Sequence, residues 1–197
     1  LHFQHGPIDI VIGADGETRA IEAAHALAWQ RFEGVLGELV AELPLLRRPI
    51  AGPCRLTGPI ARRMWLACEP YREGYITPMA AVAGAVAQEL IAYYERDGIE
   101  RAWVNDGGDI AWHLAAQRSL RVGLFADLSR LDADQILHGI RSDGQLDVTH
   151  DMPVRGVATS GWRGRSFSRG IADSVTVLAR TAAEADAAAT VIANAVD

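Results

Sequence analysis

The stretch Ala102-Trp103-Val104-Asn105-Asp106-Gly107-Gly108-Asp109-Ile110-Ala111-Trp112 decides how this chain is read. Two adjacent glycines sit inside an apolar strand pattern, a costly arrangement unless the backbone needs their freedom. Glycine tolerates positive φ and lets another backbone or a ligand approach closely. Two carboxylates and an amide flank that bare backbone, which puts hydroxyl-binding or metal-type chemistry beside it. Asn105, Asp106, Gly107, Gly108 and Asp109 are therefore taken as a candidate site. The same residues also allow a turn with Asx-type self-bonding.

Working outward, residues 1–13 alternate apolar and polar (Phe3, His5, Ile8, Ile10, Ile12) and end at Ala14-Asp15-Gly16, the pattern of a strand and a turn. From Glu17 the period changes. Ile21, Ala24, Ala28, Phe32, Val35, Leu36, Leu39, Val40 and Leu43 fall on one face of a long amphipathic helix closed by Pro44 and Pro49. A shorter helix is expected around residues 61–69. Thr77-Pro78 then opens a helix running to Tyr94, with Thr as N-cap and Pro in the first turn. Its small residues Ala80, Ala81, Ala83, Gly84, Ala85 and Ala87 suit close packing on a sheet, and its first amides, around Met79 and Ala80, suit an anion.

Residues 101–126 read as two strands joined by a turn at Gln117-Arg118-Ser119. Residues 131–146 are polar and mixed, with Leu131-Asp132-Ala133-Asp134 as the cap of a short helix. Strands follow around 154–159 and 174–179. Thr181-Ala182-Ala183-Glu184 has the form of a capping box before a last, alanine-rich helix. The pattern predicts one α+β domain over residues 1–197, with a mainly antiparallel sheet and long helices on one face.

Composition narrows the function. A net charge of -6 disfavours nucleic acid as a partner, since phosphate backbones call for a basic surface. All 19 basic residues are arginine, so Schiff-base chemistry, a P-loop lysine and a lysine base are all excluded. Cys54 and Cys68 form no C-x-x-C pair and read as thiols of a reducing, cytoplasmic compartment. No apolar run reaches the roughly 18–20 residues that span a bilayer. The chain starts at Leu1 within a strand pattern, so a slightly longer natural protein is expected.

Asp186 and Thr190, four residues apart on the last helix, share one face and can offer two hard oxygen ligands to Mg²⁺, which borrows others from water and substrate phosphate. Asp near a helix start is also favoured by the dipole alone, and Thr can bond back to its own helix. The run Thr159-Ser160-Gly161-Trp162-Arg163-Gly164-Arg165-Ser166-Phe167-Ser168-Arg169-Gly170 holds three Gly, three Arg and three Ser between two strands. It suits an anion-binding loop, with Arg163, Arg165 or Arg169 meeting phosphate, or else a basic surface loop. Ser160 lacks a G-x-S-x-G setting, which speaks against an acyl-transfer serine. His113, just past the glycine motif, is the one histidine that merits testing.

Taken in order, Val104-Asn-Asp-Gly-Gly-Asp-Ile110, Ala158-Thr-Ser-Gly161, Asp173-Ser-Val-Thr-Val177 and Ala185-Asp-Ala-Ala-Ala-Thr190 resemble the ApbE superfamily, which contains the FAD:protein FMN transferases. Ile76-Thr-Pro-Met-Ala-Ala-Val-Ala-Gly-Ala85 brings the chain nearer to a shorter, functionally uncharacterised ApbE-like branch. The resemblance spans roughly residues 75–196 and implies a T-fold-like α+β domain. In the transferases, Mg²⁺ held by the Asp and Thr of an A-D-A-x-x-T helix grips the pyrophosphate of FAD, and FMN passes to a Thr or Ser of another protein. The resemblance thus implies Asp186 and Thr190 as metal ligands and FAD or FMN as the bound nucleotide. The implied cofactor-binding set is Thr77, Asn105, Asp106, Gly107, Gly108, Asp109, Thr159, Ser160 and Gly161. The transferases also carry a His-His-Ile-Ile-Asp-Pro run before the Val-Thr-Val strand. Here that place reads Arg165-Ser-Phe-Ser-Arg-Gly-Ile-Ala-Asp173, without histidine, and no catalytic residue is assigned. Expectation thus divides between a Mg²⁺-dependent transferase or hydrolase and a non-catalytic flavin- or pterin-like binding protein, either one possible as a homodimer.

Overall fold

The computed structural model describes residues 1–124, 142–162 and 168–197. The fold is α+β. Strands β1 (His2–His5), β2 (Ile8–Gly16), β3 (Ile99–Asp106), β4 (Asp109–Leu114), β7 (Gly156–Ser160) and β8 (Val175–Ala179) form a six-stranded sheet in the order β1-β2-β3-β4-β7-β8. Every pairing in it is antiparallel. A second antiparallel ribbon joins β5 (Ser119–Leu124) to β6 (Gly144–Thr149).

The first strand expectation is corrected at once. Residues 1–13 make two strands because Gly6, at φ +59, turns the chain and lets β1 fold back on β2. The glycine pair is likewise a turn. Asp106 and Asp109 are cross-strand partners, and Gly107 and Gly108 form the two-residue loop between them with φ of 66° and 110°. Two-residue hairpin loops favour positive φ because it matches the strand twist, and glycine adopts it without strain. The region 101–126 accordingly holds β3, β4 and β5. Gln117, at φ 63°, lies in the β4–β5 turn. The cap expected at Leu131–Asp134 lies outside the described residues, whereas 144–149 is strand β6.

Four α-helices occur among the described residues: α1 (Thr18–Leu46), α2 (Pro59–Cys68), α3 (Val82–Ile91) and α4 (Ala182–Ala195). Helix α1, about 44 Å long at 1.5 Å per residue, buries Ala24, Ala28, Phe32, Val35, Leu39 and Leu46. Pro44 lies inside its last turn instead of ending it. The helix expected over 78–94 is a 3-10 turn at Pro78–Ala81, then α3, then a second 3-10 turn at Ala92–Tyr94.

The helices cover one face of the sheet, over Ile10, Ile12, Ala102, Val104 and Ala111. The β5–β6 ribbon covers part of the other, where Trp112, Leu114, Val122, Val148 and Val157 form a second cluster. A bare backbone brings α3, α4 and β7 together. A Cβ on Gly84 would collide with the Ala182 carbonyl, and one on Gly156 with the Ala182 backbone. Ala182 is fully buried in that gap, so the first turns of α3 and α4 and strand β7 meet at backbone contact.

Candidate functional site

That close approach sets up the chemistry. Asp109 opens β4 on the helix-covered face, and Asp186 lies in the second turn of α4. The Gly84 amide in the first turn of α3 donates to Asp186 Oδ2 at 3.0 Å, and the Thr159 amide of β7 donates to Asp109 Oδ1 at 3.2 Å. The two carboxyls are hydrogen-bonded to each other. Residues 77 positions apart in the chain thus form one carboxyl pair, held by an amide from a helix start on one side and from a strand on the other.

Both residues are half-buried. Burial pushes Asp109 from 3.8 up to about 7, while the bonds from Thr159 and Asp186 oppose the rise. Burial also raises Asp186 well above the carboxylate range, helped by the neighbouring charge of Asp109 and, further off, Asp106. The Gly84 amide works against that rise. Among the described residues no arginine or histidine is paired with either carboxyl. Two acids pressed together without a cation cannot both ionise cheaply, so near neutral pH the pair retains a proton.

Around the pair, Cys68 at the end of α2 is buried and its thiol is pushed up to about 12, chiefly by burial and then by the Asp186 charge. Its Sγ lies 4.0 Å from the Pro78 carbonyl. This places the Thr77–Pro78 segment beside Cys68, with Thr77 half-buried just before the 3-10 turn. Thr190 stands one turn beyond Asp186 on the same side of α4.

Not all of the expected residues converge. Asn105 serves the turn, its Oδ1 accepting the Gly108 amide at 2.8 Å, so the Asx-type bonding is present. Gly107 and Gly108 shape the hairpin, and Asp106 is buried at the end of β3. Thr159 contributes its amide, while its hydroxyl meets Thr176 Oγ1 at 3.0 Å. Ser160 ends β7 half-buried, and Gly161 packs against the Asp173 backbone. Arg163 and Arg165 lie outside the described residues. His113 is four residues along β4 from Asp109, about 14 Å away at strand rise. It lines a cavity of about 980 Å³ at the other end of the sheet, away from the carboxyl pair.

The anion-receiving amides expected at Met79 and Ala80 are replaced by that of Gly84, because the 3-10 turn delays the start of α3, and its acceptor is Asp186. Gly84 and Cys68 are the participants that sequence reasoning missed as site residues. The only trace was one glycine in an alanine run. Among the described residues no three His, Cys, Asp or Glu side chains group as a metal site, so any metal chemistry here rests on the pair.

The family model described as AbpE bacteria matches residues 1–197. The chain belongs to this family. Similar proteins include the UPF0280 protein of Methanopyrus kandleri, 37% identical over 188 residues, which cover 94% of this chain and 69% of that protein. A UPF0280 protein of Methanospirillum hungatei is 31% identical over 195 residues, 98% of this chain and 73% of its own length. That of Methanothermobacter thermautotrophicus is 36% identical over 170 residues, covering 81% and 60%. Like the sequence pattern, the AbpE-family fold offers no helix among the described residues that is long and apolar enough to cross a membrane.

Proposed function

We propose that this AbpE-family chain is a Mg²⁺-dependent protein of ApbE type that binds FAD or FMN and acts on it as a transferase or hydrolase. One observation carries the reading: Asp109 and Asp186 lie against each other, and among the described residues no arginine or histidine is paired with either carboxyl. A divalent ion suits that arrangement, since it would take the place of the shared proton and let both carboxyls ionise. Mg²⁺ commonly takes one or two carboxylates and completes its shell with water and substrate phosphate, so a pair is enough. The protein groups that would hold it are Asp109 and Asp186, with Thr190 one turn on.

When bound, the ion would neutralise negative charge on a diphosphate. The chain's own residues do the rest. The Gly84 and Thr159 amides fix the two carboxyls. The expected reaction breaks the diphosphate bond of FAD: with water it yields FMN and AMP, and with an acceptor hydroxyl it leaves FMN on that oxygen, again releasing AMP.

A second reading, a binding protein that holds a flavin- or pterin-like ring without turnover, is favoured by the stretch Arg165–Asp173, which lacks the transferases' histidines. One experiment separates the two. Purified protein is melted with Mg²⁺ and FAD, FMN, ATP or ADP, and AMP release from FAD is followed in parallel. A Mg²⁺-dependent shift together with AMP release that Asp186→Ala abolishes supports the enzyme. A shift without AMP supports the binder. No Mg²⁺-dependent shift with any nucleotide removes the main support for the enzyme, and AMP release abolished by Asp186→Ala overturns the binder.

A further inference from the structure

The inward face of α4 is built almost wholly of alanine: Ala182, Ala183, Ala185, Ala187, Ala189 and Ala193 are buried. Asp186, Thr190 and Asn194 interrupt it at four-residue steps, a polar line about 12 Å long at 1.5 Å per residue. The carboxyl pair is at one end, and the other end has its own construction. Asn194 Oδ1 accepts the backbone amide of Arg169 at 2.7 Å. The next residue, Gly170, is buried so tightly that a Cβ would collide with the carbonyls of Ala193 and Val196, and the Ile171 amide donates to Val196 O at 2.9 Å. The chain carrying Arg169 is thereby fastened to the last turn of α4 at three successive residues.

The guanidinium is held as well. Arg169 Cζ lies 5.2 Å from the centroid of the Tyr75 ring, within cation–π range. Tyr75 is two residues before Thr77, hence within about 7 Å of it along the chain. Among the described residues the guanidinium has no carboxylate partner, although Asp and Glu make up 25 residues of a chain with net charge -6. A long side chain normally loses rotamer freedom only when a partner compensates for it. Here the backbone is fastened, the exposed Tyr75 ring lies against the exposed guanidinium, and no carboxylate among the described residues takes the fork. A planar guanidinium presented in this way matches the oxygens of a phosphate group.

We infer that Arg169, positioned by Asn194 and Tyr75, is the phosphate-recognition residue at the far end of the α4 polar line, and that the ligand of this site is phosphorylated. The inference deepens the nucleotide reading above and rests on it for the flavin, but not for the phosphate.

The test therefore has two arms, read by calorimetric titration of the full chain. In the first, inorganic pyrophosphate is titrated into wild type, Arg169→Gln, Arg169→Lys and Tyr75→Leu. Wild type should bind. Arg169→Gln should bind at least tenfold more weakly with an unchanged melting temperature, Arg169→Lys should recover part of the loss, and Tyr75→Leu should lie between. In the second, FMN is compared with riboflavin in the presence of Mg²⁺. Wild type should prefer FMN by at least tenfold, and Arg169→Gln should abolish the preference without changing riboflavin affinity. Equal pyrophosphate binding by wild type and Arg169→Gln, or none by wild type, overturns the assignment. Arg169-dependent pyrophosphate binding with no flavin binding upholds the phosphate assignment and overturns the flavin reading.

Discussion

Stability of this protein should fall as the solution becomes alkaline, in a window set by the buried carboxyl pair. Asp109 is raised from 3.8 to about 7 and Asp186 is raised too, so between those values the folded state binds more protons than the unfolded one. Unfolding free energy then decreases with rising pH: the stabilisation is whole below the unfolded value near 4 and is lost as pH rises through about 7. A rise of about three units at about 1.4 kcal/mol each sets a ceiling of about 4 kcal/mol for Asp109. Residual solvent access makes about 2 kcal/mol the working figure. The assay is urea denaturation of wild type and Asp186→Asn between pH 5 and 8. The carboxamide keeps an acceptor for the Gly84 amide and gives Asp109 a donor, so the variant should show a much flatter profile and exceed wild type in stability at pH 8. Asp186→Ala, which leaves the Gly84 amide without its acceptor, should lose about 1–3 kcal/mol at pH 5, where wild type keeps its shared proton, and less at pH 8. Parallel pH profiles for wild type and Asp186→Asn would refute the reasoning. Millimolar Mg²⁺ should restore stability at pH 8 in wild type alone, as ligand linkage requires.

Other expectations follow from the packing. Gly84→Ala or Gly156→Ala forces a methyl into the Ala182 backbone and should cost at least about 1–3 kcal/mol in thermal or urea unfolding. Gly37→Ala in α1, with no atom within 4 Å of the new Cβ, should instead stabilise by about 0.5–1 kcal/mol. Cys68, buried with its thiol pushed up to about 12, should resist alkylation at pH 8 in the native protein, whereas half-buried Cys54 should react first; mass mapping of the labelled cysteine decides it. Thr181→Ala should lower stability by about 1 kcal/mol, because the Thr181 hydroxyl accepts the Glu184 amide at 3.2 Å and caps α4.

Where local chemistry is sufficient, the sequence was legible. Apolar steps of three and four gave α1, Thr181 and Glu184 marked the start of α4, and alternation marked the strands, so the α+β class with helices on one sheet face follows from pattern alone. Boundaries failed where two local solutions compete. Residues 1–13 read as one strand and Gly107-Gly108 as glycines within a strand pattern, but Gly6-Pro7 and Gly107-Gly108 are hairpin turns, since periodicity does not record whether the chain doubles back. The 3-10 turn at Pro78–Ala81 hid within a run that an α-helix would also accept.

The candidate site divides in the same way. Sequence alone singled out Asp109, Thr159, Asp186 and Thr190 as residues with chemistry to offer. Only the tertiary structure could make Asp109 and Asp186 partners, because 77 residues separate them and their meeting depends on Ala182 fitting between Gly84 and Gly156. Sequence sets which groups can titrate or ligate. Burial and backbone approach, which are properties of the packed chain, decide that two of them must share a proton.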